Sequence, residues 1–309
     1  MNRPAKVLVT TILIVLLAAL VDWDDLWLNL QRLQWPATLI AFCAYGVQFF
    51  TSGWKWQSAL AVLGVRLPAG FLIRVYCIAH FVGQFLPTAI GGDAYRIYRT
   101  MPLTQPRSRA ISAIVIERLV GFAILLFIGG IGALALKHER LIAETYVVIL
   151  AFGIVAALLV ALMMRTDGFR WVGSRLQALK GFQALAEDYR QLKATDWRWL
   201  SFLGLSLLFQ IISIGILYVL FQGIGAHITW AECTLIAAVA GAATVLPISI
   251  NGIGVVESSL AGTAVALGVN YEDALAVAVL ARLLVMPLSL VCGLIYMMEP
   301  KRNLETVST

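Results

Sequence analysis

The chain has 309 residues, of which 61% are hydrophobic and only 13% charged, against the roughly 25% charged that is usual in soluble domains. No hydrophilic stretch is long enough for a separate catalytic domain, so the chain reads as one integral membrane domain over residues 1–309 rather than two soluble ones. The net charge of +6 sits in short loops between apolar stretches, the positive-inside pattern of a polytopic membrane protein and not the basic patch of a nucleic-acid binder.

A spanning helix needs about 20 mainly apolar residues. Residues 7–21 supply the first, with Arg3 and Lys6 before it and Asp22, Asp24 and Asp25 after it, which puts the amino terminus in the cytoplasm. The same stretch has the look of a signal peptide, but no small-residue cleavage site precedes Asp22 and further spans follow. Residues 36–55 return inward, with Trp54 and Trp56 around Lys55 read as an interface anchor. Residues 71–90 are flanked on both sides by arginines (Arg66 and Arg74; Arg96, Arg99, Arg107 and Arg109), so a simple crossing would violate the charge rule. Pro87 breaks the helix ladder and Gly91-Gly92 permit a sharp turn, which predicts a re-entrant hairpin from the cytoplasmic side over about residues 70–100.

Residues 110–136 cross outward and 146–164 return. The linker 165–198 holds seven Lys/Arg against four Asp/Glu, and its apolar residues recur at helical spacing. It reads as a cytoplasmic amphipathic helix on the membrane surface, or as one packed under the bundle. Residues 199–221 cross outward. Residues 232–268 hold a second break, at Pro247, Asn251, Gly252 and Gly254, with flanks free of Lys and Arg, and so form a hairpin from the outside. Residues 274–298 cross inward to Lys301-Arg302. The expected architecture is all-α, with six transmembrane helices, two re-entrant hairpins and both termini cytoplasmic; eight full spans are the alternative.

Two acid–arginine pairs stand out in this apolar background. Asp93/Arg118 and Glu257/Arg282 share a spacing of 25 residues, and each acid follows a Leu-Pro-and-glycine break. The intervening segments align without a gap, and Gly129 then falls on Gly293. Repeat 1 (residues 36–136) and repeat 2 (199–298) are therefore expected to be inverted copies, the construction of secondary transporters that hold substrate at the repeat interface. An unpaired charge at the bilayer centre costs about 3 kcal/mol on insertion scales. One reading is a structural salt bridge in each repeat, with Asp93 as an N-cap on a helix over residues 94–100. The other is a substrate-binding cavity in which Arg118 and Arg282 meet an anionic headgroup and Asp93 and Glu257 meet an ammonium group or a proton.

Glu117 has no acidic counterpart at Ala281 and is read as balancing Arg96 or Arg99 near the cytoplasmic rim. Gln48 and Gln210, midway along their spans, are interhelical hydrogen-bond partners or cavity-lining residues. The cysteines Cys43, Cys77, Cys233 and Cys292 lie in apolar segments without C-x-x-C spacing, and the isolated His80, His138 and His227 make no metal site. Gly252-Ile253-Gly254 lacks the third glycine and the βαβ context of a dinucleotide loop. No cofactor or metal motif is expected.

Gln84-Phe85-Leu86-Pro87 through Gly91-Gly92-Asp93-Ala94-Tyr95-Arg96, Glu117-Arg118 on the next helix, and Pro247 through Asn251-Gly252-Ile253-Gly254 to Glu257 together resemble the flippase-like membrane region of lysylphosphatidylglycerol synthetase/flippase proteins. The resemblance covers essentially the whole chain. It implies a multi-pass protein of the bacterial inner membrane that moves lipid between leaflets, with Asp93, Arg118, Glu257 and Arg282 on the family's polar positions. Asn251 departs from a frequent glycine. The sequence holds no aminoacyl-transferase domain, so lysyl transfer is not implied, and the lipid is anionic or zwitterionic, aminoacylated or isoprenoid-linked. A lipid synthase or glycosyltransferase is the expected partner, and nucleic acid is not. A transporter, not an enzyme, is the first reading; a membrane-embedded enzyme or accessory subunit of lipid or glycan transfer is the second.

Overall fold

The computed structural model describes residues 34–85, 91–136, 188, 197–244 and 252–298. Among them the regular structure is helical throughout. Eight helices fall into two sets of four in the same order. Half one is α1 (Trp35–Val62), α2 (Ala69–Phe85), α3 (Gly91–Thr100) and α4 (Ser108–Ala135). Half two is α5 (Trp197–Gly223), α6 (Trp230–Ala243), α7 (Val255–Ala266) and α8 (Tyr271–Met297). Each half is thus long, short, short, long. The expected spans at 7–21 and 146–164 lie outside the described residues.

The long helices have 27 or 28 residues, about 40 Å at 1.5 Å per residue. That exceeds the roughly 30 Å hydrocarbon core of a bilayer. α4, α5 and α8 also have the hydropathy to cross it; α1 is as long but carries Gln48, Thr51, Ser52, Lys55, Gln57 and Ser58. Large apolar side chains such as Phe127, Leu134, Leu200 and Leu290 face outward on these helices, where a soluble bundle would place polar ones. The protein is a multi-pass membrane protein. The short helices have 17, 10, 14 and 12 residues, each about 26 Å or less, so no described arm reaches across the core by itself.

The same turn ends α1 and α5. Gly64 and Gly225 have φ of 77° and 82°, the left-handed conformation that a Cβ disfavours. Val65 N–H donates to Leu60 O at 2.9 Å and Ala226 N–H to Phe221 O at 3.0 Å, which closes a Schellman motif in each half. In the second half a capping box starts α6, with Thr229 bonded to the Glu232 amide and Glu232 to the Thr229 amide.

The first helices of the two halves run in opposite directions. Along α1 and α5 the contacts run Gln34–Gly223, Gln48–Ser213 and Ser58–Ser201: residue numbers rise on one helix as they fall on the other, so α1 and α5 lie antiparallel. The halves also interlock through equivalent seams, α4 against α6 and α8 against α2. Both seams need a glycine. A Cβ on Gly132 would overlap Thr234 and approach the Ala231 carbonyl to 2.7 Å; one on Gly293 would come within 2.9 Å of the Phe81 ring. The thiols of Cys77 and Cys292 meet across the second seam.

Several expectations change. α1 continues past residue 55 to Val62, and Lys55 and Trp56 are buried inside the bundle; they are not an interface anchor. Gly91 and Gly92 are the first residues of α3 and not a turn. Gly92 is required by close approach, since a Cβ there would sit 2.7 Å from the Ala79 carbonyl oxygen of α2. Asp93 accordingly lies in the first helical turn and is not an N-cap. At the second break Gly252 and Gly254 do adopt positive φ, 72° and 81°. Pro87, Pro247 and Asn251 lie outside the described residues. Of the linker 165–198 before α5, the structure places Asp188: it is buried, accepts a 2.8 Å hydrogen bond from Ser112 and lies 3.7 Å from Arg109, beside the start of α4. The rest of that linker lies outside the described residues.

Candidate functional site

All eight helices contribute to one internal cavity of about 970 Å³ between the halves. Its wall includes each of the six candidate residues: Asp93, Arg118, Glu257, Arg282, Gln48 and Gln210. The architecture explains the convergence. Asp93 and Glu257 sit in the first turns of α3 and α7, where the helix dipole favours a carboxylate. Arg118 and Arg282 sit on the long helix that follows, within reach of the acid of their own half.

The pairs are made. Arg118 donates from Nε and Nη2 to Asp93 Oδ2 at 2.8 and 2.6 Å. Arg282 donates from Nε to Glu257 Oε1. Glu257 uses its second oxygen to accept the Gly254 amide at 2.8 Å, so it holds the start of α7 as well as the arginine. The arginines differ from the acids in exposure: the Arg118 side chain is 59% exposed and that of Arg282 26%, whereas both acids are 10%.

Half one carries more charge than the sequence reading assigned to the site. Glu117 accepts Lys55 Nζ on Oε1 at 3.2 Å and Arg96 Nη2 on Oε2. Arg96 also donates from Nη1 to Asp93 Oδ1 at 3.0 Å. Lys55, Glu117, Arg96, Asp93 and Arg118 therefore form one chain of alternating sign. Glu117 does balance Arg96, but in the buried cavity wall instead of at the rim. The Arg96 guanidinium lies 4.3 Å from the Trp56 ring centroid and 5.1 Å from that of Tyr76, and Lys55 Nζ lies 4.2 Å from that of Phe209. Aromatic faces attract cations most strongly away from water, and here they flank both inner cations.

The glutamines divide their roles. Gln48 on α1 donates to Ser213 of α5, and Gln210 on α5 donates to the Gly121 carbonyl of α4 at 2.9 Å. Each is both an interhelical partner and a lining residue. His80 also lines the cavity, 4.6 Å ring to ring from Phe49. Among the described residues no group of His, Cys, Asp and Glu is arranged to hold a metal.

The remaining wall is apolar and partly open sideways. Leu119 on α4 and Met286 on α8 line the cavity and are 57% and 49% exposed. The arrangement thus offers a charged pocket in the bundle interior with an apolar flank, a combination suited to a molecule with a polar head and a hydrocarbon tail.

The family model for the lysylphosphatidylglycerol synthase TM region matches residues 5–293, and the chain belongs to that family. A comparison with curated proteins gives no match.

Proposed function

We propose that this chain is a lipid transporter that moves an anionic or zwitterionic lipid, aminoacylated or isoprenoid-linked, between the leaflets of the bacterial inner membrane, and that it is not an enzyme. The observation that carries the reading is the convergence of both acid–arginine pairs on one cavity between two antiparallel halves. Inverted halves with a site at their interface are how alternating-access transporters are built. Family membership supports work on lipid. In this reading the short helix pairs are re-entrant hairpins, the termini are cytoplasmic, and a lipid synthase or glycosyltransferase supplies the substrate. The arginines engage the headgroup phosphate, because a guanidinium offers a planar two-point fork to phosphate oxygens, while the tail stays against the apolar flank.

The test is headgroup translocation in reconstituted vesicles. Arg118→Ala and Arg282→Ala are expected to abolish it, and Arg118→Lys and Arg282→Lys to restore it in part. Thermal unfolding is measured on the same preparations, since breaking a buried pair can itself cost about 3–5 kcal/mol. Alanine variants that stay folded and move lipid at the wild-type rate would reject the role.

A further inference from the structure

The lipid-transport reading leaves the headgroup open, and the hydrogen-bonding state of the cavity narrows it. Among the described residues three carboxylates line the site, and every one of their oxygens already accepts a donor. Asp93 takes Arg96 and Arg118, Glu117 takes Lys55 and Arg96, and Glu257 takes Arg282 and the Gly254 amide. An ammonium group entering the cavity would have to share a carboxylate oxygen that a buried cation or a backbone amide already holds.

The donors are in the opposite condition. A guanidinium has five N–H groups. Arg118 spends Nε and Nη2 on a single oxygen of Asp93 and keeps its side chain largely exposed. Arg282 engages Glu257 through Nε and is a quarter exposed. Among the described residues the acids of the charged wall are thus already paired, while the two outer arginines keep N–H groups open to the cavity. The charge count agrees. Among the described residues Lys55, Arg96, Arg118 and Arg282 face Asp93, Glu117 and Glu257, which leaves one positive charge in excess among these side chains.

We infer that the cavity selects a phosphodiester lipid whose headgroup carries no amine, such as one ending in hydroxyls, and discriminates against zwitterionic and aminoacylated headgroups. This rests on the transport reading only for its biological use; the selectivity is a property of the wall. A monoanionic phosphate completes the open edges of Arg118 and Arg282 and neutralises the excess charge. An added ammonium restores that excess and meets carboxylates whose charge is already paired.

The experiment measures binding and movement separately. Short-chain phosphatidylglycerol, phosphatidylethanolamine, lysyl-phosphatidylglycerol and water-soluble glycerol phosphate are titrated against the purified full chain in detergent. Phosphatidylglycerol is expected to bind at least about tenfold more tightly than the other two lipids, a difference of about 1.4 kcal/mol. In Arg118→Gln and Arg282→Gln that preference should fall toward unity. Equal or tighter binding of either amine-bearing lipid overturns the proposal, and the wild-type comparison decides this even if a variant fails to fold. Glycerol phosphate binding as tightly as phosphatidylglycerol would overturn the lipid source in favour of a free phosphate ester. The same lipids are then followed across reconstituted vesicles. The expected binding order without any movement sinks transport and leaves the selectivity standing; movement of all headgroups alike sinks the selectivity and leaves transport standing.

Discussion

Half one places Lys55, Arg96 and Glu117 on the cavity wall; half two places Ile216, Leu260 and Ala281 at the corresponding positions of the same wall. The correspondence follows from the register that sets Asp93 on Glu257 and, for the first helix, from the matching turns at Gly64 and Gly225. Both halves keep the acid–arginine pair, so the pair belongs to what the inverted fold requires or uses twice. The three further charges occur once. Half two seats α7 against α6 and α8 without them, so the helix packing does not demand them. In half one they pair with one another and with Asp93 in the cavity wall.

Substitutions on the two walls probe that contrast, in order of expected effect. Glu117→Ala leaves Lys55 and Arg96 buried without their shared acceptor and should cost about 3–5 kcal/mol in unfolding from detergent. The triple change Lys55→Ile, Arg96→Leu and Glu117→Ala gives half one the residues of half two. It should recover most of that loss, because replacing a whole buried ionic group by apolar side chains is often neutral. A triple variant no more stable than Glu117→Ala would show that the halves are not interchangeable at these positions.

The equivalent acids should differ as well. Asp93→Asn weakens bonds to two arginines. Glu257→Gln weakens one and keeps an oxygen for the Gly254 amide. Unfolding should therefore show a larger loss for Asp93→Asn, by about 1–3 kcal/mol, the cost of one additional unsatisfied buried charge partner. Equal losses would mean that Arg96 draws nothing from Asp93. The smallest effect belongs to the glutamines. Gln48→Leu and Gln210→Leu each remove one hydrogen bond between helices, which in membrane proteins averages about 0.6 kcal/mol. A double-mutant cycle of Gln48 with Ser213 should return a coupling of that order, and Gln48 with Gln210 none, since their bonds are separate.

Much of this was legible in the sequence. The pairs announced themselves because each charge stands in apolar surroundings and both spacings are equal. The long helices followed from hydropathy and from where arginines collect. The Lys55–Glu117–Arg96 chain was not legible, because its members come from α1, α4 and α3 and meet only after tertiary packing. Lys55 between two tryptophans carries the signature of an interface anchor, and Arg96 lies in the same polar run as Arg99 and Arg107. One signal was present: Glu117 had no acidic counterpart in an otherwise matching repeat. The glycines misled for a different reason. Flexibility and close approach both favour glycine, and a sequence does not distinguish Gly92, pressed against α2, from Gly254, turned to a positive φ.

The antiparallel pairing of α1 with α5 carries a consequence for ancestry. A unit of four helices related to its copy by such a dyad must be able to insert in a membrane either way up. A single ancestral half would then have been a dual-topology protein, assembled as an antiparallel two-fold couple of identical subunits before duplication joined them. In such a homodimer every cavity residue appears twice, so a charge chain like that of Lys55, Glu117 and Arg96 would have been present on both walls or on neither. Fusion into one chain freed the two walls to diverge, and an asymmetric pocket is what a symmetric dimer of this shape could never have held.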